Sequence, residues 1–350
     1  MLNEILKVEG LSKQYAIGSR WFGQRKHVHA VDSVSFGIAR SEIVGLVGES
    51  GSGKTTLGRT LLRLVEPTSG RITFEGKDIA EASSREMRSI RQRMQIIFQD
   101  PYASLNPRRS VGSQIYDAFA IHNLYNKRER IDRVVNLLER VGLNNSQYDR
   151  LPYEFSGGQR QRIGIARALA LEPSFVVADE AVSALDVSVQ AQVVNLLLDL
   201  QRDLGLTILF ITHDLSLVEH VCDRVLVMYM GKIVESGTVQ QVYSNPGHPY
   251  ARALLASVPV PDPSRKNLGV VSLRGELPSP MALPSGCSFR TRCSFATEQC
   301  KREIPPLRAV QDGHNVACFF SEEVMKSNSF VGVKAAVTGN DINDKLLTPR

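Results

Sequence analysis

The sequence predicts an α/β protein: a mainly parallel sheet covered on both faces by helices, interrupted by a helical insertion and followed by an irregular C-terminal extension. Three observations carry that prediction. Apolar runs of strand length, such as Glu42-Ile43-Val44-Gly45-Leu46-Val47, Phe175 to Ala178 and Thr207 to Thr212, alternate with segments of helical period, as buried parallel strands and their crossover helices do. Between them, from Ser110 to about Leu151, Ile131, Val134, Val135, Leu138 and Val141 recur at three- and four-residue steps along one helical face. Beyond Val242 the prolines of Asn245-Pro246-Gly247-His248-Pro249, Val258 to Pro263 and Leu277 to Pro280 exclude long helices.

The composition agrees. The chain has 350 residues, 43% hydrophobic and 22% charged, which rules out disorder as its overall state and suits one large α/β domain with an appendage. Forty-two Lys and Arg face 36 acidic residues, a net charge of +6 spread too thinly to mark a nucleic-acid binder. The longest apolar runs fall well short of the roughly 20 residues that span a bilayer, and Met1-Leu2-Asn3-Glu4 lacks a basic-then-apolar signal. A soluble, intracellular protein is expected.

Taken in order, Ala30 to Phe36 alternates as a half-buried strand, after a basic, glycine-punctuated stretch from Gly18 to His29 that reads as an exposed loop. The run ending at Val47 leads into Gly48-Glu49-Ser50-Gly51-Ser52-Gly53-Lys54-Thr55, which fits G-x-x-x-x-G-K-[ST]. This loop follows a predicted strand and precedes a helix beginning near Thr56, the context that the motif requires. Its glycines let backbone N–H groups surround phosphate oxygens, the helix N-terminus adds positive charge, Lys54 bridges the β- and γ-phosphates and Thr55 ligates magnesium. Further on, Phe175 to Ala178 ends in Asp179 and Glu180. Alone, such a pair is usually a turn or helix cap; coupled to a phosphate loop, Asp179 suits the magnesium shell and Glu180 the water that attacks phosphorus.

Between these motifs lies Ser156-Gly157-Gly158-Gln159, opening a predicted helix. Here the chain resembles the ATP-binding subunits of ABC transporters, from about Leu6 to Val242. The resemblance implies a P-loop NTPase fold of the ABC cassette type: a parallel-sheet core, an N-terminal antiparallel β subdomain and a helical subdomain over about 100–160. It implies that Ser156, Gly157, Gly158 and Gln159 contact ATP held by a second subunit, where a hydroxyl, N–H groups and a helix N-terminus make an anion site. It matches Tyr15 to the residue that stacks on adenine. Gly48, Ser50, Gly51, Gly53, Lys54, Thr55 and Thr56 are the implied phosphate contacts. Gln99 is the glutamine that senses metal and water, Asp186 belongs to the loop crossing the dimer interface, and His213 orders water beside Glu180. Thr55, Gln99 and Asp179 would share the magnesium. Ala181 departs from the family, which usually has proline there; the change loosens a turn without deleting a reacting group.

The segments Phe98 to Arg108 and Asn245 to Leu255 resemble the oligopeptide/dipeptide/nickel import group. Peptide import at the cytoplasmic face of the bacterial membrane is implied, with nickel, opine or oligosaccharide import and a non-transport ABC ATPase as the other readings. The implied partners are a second ATPase subunit, two integral-membrane permease subunits and, indirectly, an extracytoplasmic solute-binding protein. Tyr102 and the Pro107-Arg108-Arg109 turn would lie near the permease.

Five cysteines divide unevenly: Cys222 stands apart as a small core residue, while Cys287, Cys293, Cys300 and Cys318 cluster in the extension. That clustering favours metal over a disulfide framework. The spacing lacks paired C-x-x-C but is similar to the four-cysteine pattern that holds a 4Fe-4S cluster in some members of the group; zinc and unligated thiols are the alternatives. The expected division is 1–242 for the cassette, 243–325 for the extension and 326–350 for a disordered tail.

Overall fold

The computed structural model describes residues 4–17, 26–258, 278–279, 281 and 283–327. Parts of three sequence readings lie outside them: the Gly18 to His29 loop over 18–25, the prolines at 259, 261, 263 and 280, and the tail beyond Ser327.

Two sheets organise the chain. β1 (Glu4–Ile17), β2 (Lys26–Ala39), β4 (Ser69–Phe74) and β5 (Lys77–Asp78) form an antiparallel sheet in the order β2-β1-β4-β5. Lys26 to His29, read from sequence as loop, continue β2, because Val28 and His29 pair with Tyr15 and Gln14. The larger sheet takes in β3 (Ile43–Val47), β6 (Met94–Ile97), β7 (Phe175–Asp179), β8 (Thr207–Ile211), β9 (Arg224–Tyr229), β10 (Lys232–Thr238), β11 (Arg308–Gln311) and β12 (His314–Val316). Its order is β11-β12-β10-β9-β3-β8-β7-β6. β3, β6, β7, β8 and β9 run parallel, and β3, β7 and β8 are buried along their whole length. Such strands can be covered on both faces only by crossover helices, which explains their unbroken apolar runs.

Helix α1 (Lys54–Leu61) follows β3. The helices α2 (Ser84–Arg93), α3 (Pro101–Ser104), α4 (Val111–Ile121), α5 (Lys127–Arg140), α6 (Gly157–Leu169), α7 (Val187–Leu204) and α8 (Leu215–Val221) lie between the strands. α4 and α5 are the predicted helical insertion; Val134 and Leu138 of α5 are buried with Ile115 and Phe119 of α4. One core joins these helices to one face of the large sheet. A second, including Leu6, Val8, Leu57 and Leu61, joins α1 and the antiparallel sheet to the opposite face. Among the described residues no helix is long and apolar enough to cross a membrane.

Beyond β10 come α9 (Val239–Ser244), α10 (Pro249–Ala256), α11 (Glu298–Arg302) and α12 (Ser321–Lys326), all short, as the proline density demands. The extension is not wholly irregular: β12 pairs with β10 and carries β11 beyond it, so the chain's end lengthens the central sheet. Buried Glu235 of β10 secures the join. It lies 2.8 Å from His314 Nε2 and accepts the N–H groups of Gly247 and His248, which supply the partners that a buried carboxylate requires.

Candidate functional site

The loop Gly48 to Thr55 runs from the C-terminal end of β3 into the N-terminus of α1. Gly48, Gly51 and Gly53 all have positive φ, and at Gly53 (φ 107°) a Cβ would stand 2.1 Å from the Ala30 carbonyl oxygen. Only glycine fits there. Ser50 and Gly51 are exposed at the tip. Lys54 is buried with its ammonium on the loop, donating to the carbonyls of Gly48 (2.7 Å) and Glu49 (3.0 Å). Burial lowers its pKa, opposed by the charges of Glu180, Asp179 and Glu49.

β7 lies two strands away from β3, across β8, so Asp179 and Glu180 emerge beside the loop. Thr55 donates to Asp179 Oδ1 at 2.9 Å, with Thr56 following on α1. Burial raises the Asp179 pKa, opposed chiefly by Thr55 and by Arg59, whose Nε is 4.0 Å away. Hydroxyl and carboxylate are hard oxygen donors suited to magnesium. Glu180 has φ 47°, a strained conformation for a residue with a side chain. Three hydrogen bonds hold it: its N–H donates to Ile211, and its carbonyl accepts from the Ser183 N–H and hydroxyl. Its carboxylate draws in the other two predicted residues. Gln99 Nε2 donates to Glu180 Oε2 at 2.9 Å, and His213 Nδ1 stands 3.6 Å from the same oxygen. β6, β7 and β8 thus deliver one residue each to a single point, able to accept a proton from water and to orient it. Buried Ala181 packs in the core behind Glu180.

The remaining predicted residues lie elsewhere in the chain, Ser156 and Asp186 exposed and Gly158 buried. Tyr15 is part-exposed near the end of β1, with Lys13 Nζ 5.0 Å from its ring centroid. Ser156 caps α6 reciprocally: its hydroxyl accepts the Gln159 N–H, and the Gln159 side chain accepts the Ser156 N–H. At Gly158 a Cβ would meet Val189 of α7 at 2.3 Å, so glycine is needed for α6 to approach α7. Gly157 stands beside it in the first turn. Asp186 is the exposed N-cap of α7. No hydrogen bond or ion pair among the described residues joins Ser156, Gly157, Gly158, Gln159 or Asp186 to the phosphate loop.

Sequence reasoning missed Arg59, although it lies four residues after Thr55 on the same helical face, a readable signal. It also missed Tyr250 and Arg292, which reach the loop from the extension. No local pattern announces contacts spanning 201 and 243 residues.

All four clustered cysteines line one cavity of about 10 Å³, with Phe289, Phe295, Phe319 and Phe320 around it. Burial raises the pKa of Cys287 and pushes Cys293 to about 11 and Cys318 to about 12, so these three stand as thiols at neutral pH. Among the described residues, no group of three or more His, Cys, Asp or Glu is arranged to hold a metal ion. The expected iron–sulfur or zinc ligation therefore has its donors gathered but not arranged around an ion. Cys222 is part-buried between two cores, its pKa raised by burial, as a small packing residue would be.

Residues 31–183 match the ABC transporter family, and residues 234–300 match the oligopeptide/dipeptide transporter C-terminal region. A Brucella ovis protein described as a peptide import ATP-binding protein is 55% identical over 314 residues, 90% of this chain and 97% of that one. The oligopeptide transport ATP-binding protein AppF of Bacillus subtilis is 52% identical over 321 residues, 90% of this chain and 96% of its own length. Among solved structures, the dimeric ATP-binding cassette MJ0796, in a post-hydrolysis state with ADP and Pi, has a TM-score of 0.60 at 26% identity and covers 67% of this chain and 98% of its own. The strand order, the phosphate loop and these likenesses together place the chain in the ABC transporter ATP-binding family, in the branch that carries the oligopeptide/dipeptide C-terminal region.

Proposed function

We propose that this chain hydrolyses ATP to drive peptide import, working at the cytoplasmic face of a membrane against two permease subunits that an extracytoplasmic binding protein feeds. Residues 1–242 serve as the cassette and 243–325 as the extension typical of peptide importers. Two cassettes, identical or related, sandwich two ATP molecules, with Ser156 to Gln159 and Asp186 of each completing the partner's site; the exposure of Ser156 and Asp186, neither bonded to its own phosphate loop, supports that reading. The peptide assignment rests on the names of the relatives and on the C-terminal match. Tyr102 is exposed on α3, backed by Arg160 3.8 Å from its ring centroid, and suits the permease-facing surface.

The observation that carries the chemistry is the convergence of Gln99 and His213 on Glu180, beside the Thr55–Asp179 pair. Tyr15 stacks on the base, and Lys54 with the N-terminus of α1 holds the β- and γ-phosphates. Thr55, Asp179 and Gln99 would hold magnesium, which neutralises charge on the transferred phosphoryl group. As water oxygen bonds to the γ-phosphorus and the bond to the bridging oxygen breaks, Glu180 accepts the water's proton and ADP leaves with the bridging oxygen. Gln99 fixes the carboxylate, and His213 orders the water. Glu180→Gln is expected to bind ATP and dimerise while turnover falls at least about a hundredfold, the scale of a lost general base. Normal phosphate release by that variant would overturn the assignment.

The four extension cysteines are assigned to a structural site for a soft metal, a 4Fe-4S cluster with zinc as the alternative. Their thiols suit either in donor type, and their gathering at one cavity supports the reading. Ligation there would tie the segments bearing Cys287, Cys293, Cys300 and Cys318 together. Anaerobic purification of the full chain with iron, zinc and sulfide analysis is expected to find stoichiometric metal; absence of both metals would leave a plain thiol core.

A further inference from the structure

Glu49, the second residue of the phosphate loop, is held from outside the cassette at two points. Its carboxylate is gripped bidentately by Arg292, with Nη1 to Oε2 at 2.7 Å and Nη2 to Oε1 at 3.0 Å. Its N–H donates to the Tyr250 hydroxyl at 2.7 Å. The Arg292 side chain is 5% exposed and that of Glu49 21%, so the pair is shielded from water on one side and stronger than a surface ion pair. Glu49 foremost holds the arginine's pKa up. The same residue's carbonyl is one of the two that hold the Lys54 ammonium.

The presentation of Arg292 is itself fixed. It lies in a turn that begins at Cys287 and ends at Cys293, where the Arg290 N–H donates to Cys287 and the Arg292 N–H to Phe289. Phe289 is buried against Tyr229, Tyr250 and His248, with ring centroids 5.3, 5.4 and 5.7 Å away. Aromatic packing thus docks the turn, and the docked turn aims the guanidinium.

A carboxylate in a loop built to receive a triphosphate opposes its ligand unless it is neutralised. We infer that Arg292 is a positioning residue of the nucleotide site: it neutralises Glu49 and fixes the loop that carries Lys54, so that the extension sets the cassette's affinity for ATP. This rests on the proposed assignment of the loop to ATP.

The test is a double-mutant cycle in the full-length chain, reading fluorescent-ATP affinity, KM and kcat on protein shown to be folded by circular dichroism. Arg292→Ala is expected to raise Kd and KM for ATP about tenfold with a smaller change in kcat, the scale of one lost charge-assisted pair. Arg292→Lys should fall between, because a point charge neutralises without the planar fork. Glu49→Gln removes the opposing charge together with the pair and should weaken ATP binding less than Arg292→Ala does, and Glu49→Gln with Arg292→Ala should match Glu49→Gln alone instead of adding the two losses. The Arg292→Ala defect should also shrink in high salt. Wild-type Kd in Arg292→Ala, or a double variant as weak as Arg292→Ala alone, would overturn the inference, the latter pointing to structural damage unrelated to the Glu49 charge. Failure of the wild-type chain to bind ATP would instead strike the underlying assignment.

Discussion

Residue-scale strain and charge concentrate where the site is. Glu180 sits in the left-handed region with its N–H and carbonyl both tied to neighbours, a conformation that costs about 1–3 kcal/mol and persists only because the surroundings over-determine it. The strain aims the carboxylate at Gln99 and His213. Gly53 meets the opposite demand, a backbone so close to Ala30 that no side chain fits. Gly53→Ala should therefore keep the fold and lose the loop: fluorescent-ATP titration is expected to show affinity reduced more than about tenfold, since relieving the overlap and the positive φ each takes a kcal/mol or more. Wild-type affinity would show that the loop can shift to admit a methyl group.

Among the elements, α1 and α6 begin differently. α1 begins at Gly53 without a side-chain cap, leaving its first N–H groups to a ligand, whereas α6 is closed by the Ser156–Gln159 capping box. α10 is capped differently, by the ring of His248, whose Nδ1 accepts the Tyr250 N–H at 3.0 Å. Burial lowers the His248 pKa to about 3, against about 6.5 in an unfolded chain. A pKa depressed on folding contributes stability that is present above about 6.5 and lost as pH falls from there toward 3. The loss is about 1.4 kcal/mol per pH unit within that window, or about 2 kcal/mol by pH 5. Denaturant titrations at pH 7 and pH 5 should show this acid loss in the wild type and a smaller one in His248→Asn, which keeps a cap acceptor but does not titrate there. Glu235, whose pKa burial raises, titrates in both proteins and leaves the difference to His248. Equal acid losses would place the sensitivity elsewhere.

Over the whole molecule, the extension is joined to the cassette by a sheet, a core and a charge pair. β12 continues the sheet through β10, Glu235 meets His314, Phe289 enters the aromatic cluster and Arg292 reaches the phosphate loop. A boundary drawn at Val242 from proline content follows a change in local chain character, but the hydrogen bonds and the core run across it. The helical insertion, by contrast, was legible in outline: Val134, Leu138 and Val141 are buried at helical spacing, whereas Ile131, read onto the same face, is exposed where the first turns of α5 project beyond the core.

What the sequence by itself determined about this protein are the features encoded over a few residues. They include the parallel strands in Ile43 to Val47, Phe175 to Asp179 and Thr207 to Ile211, the glycine-built loop before Lys54, the cap at Ser156 and the short helices among the prolines. Each is set by local sterics, period or backbone satisfaction. Only the tertiary structure decided which residues meet: Gln99 and His213 on one oxygen of Glu180, four cysteines on one cavity, and Arg292 on Glu49 across 243 positions. Those meetings depend on strand order and on how the chain's end folds back over the sheet, and long-range packing leaves no periodic trace in the segments that it joins.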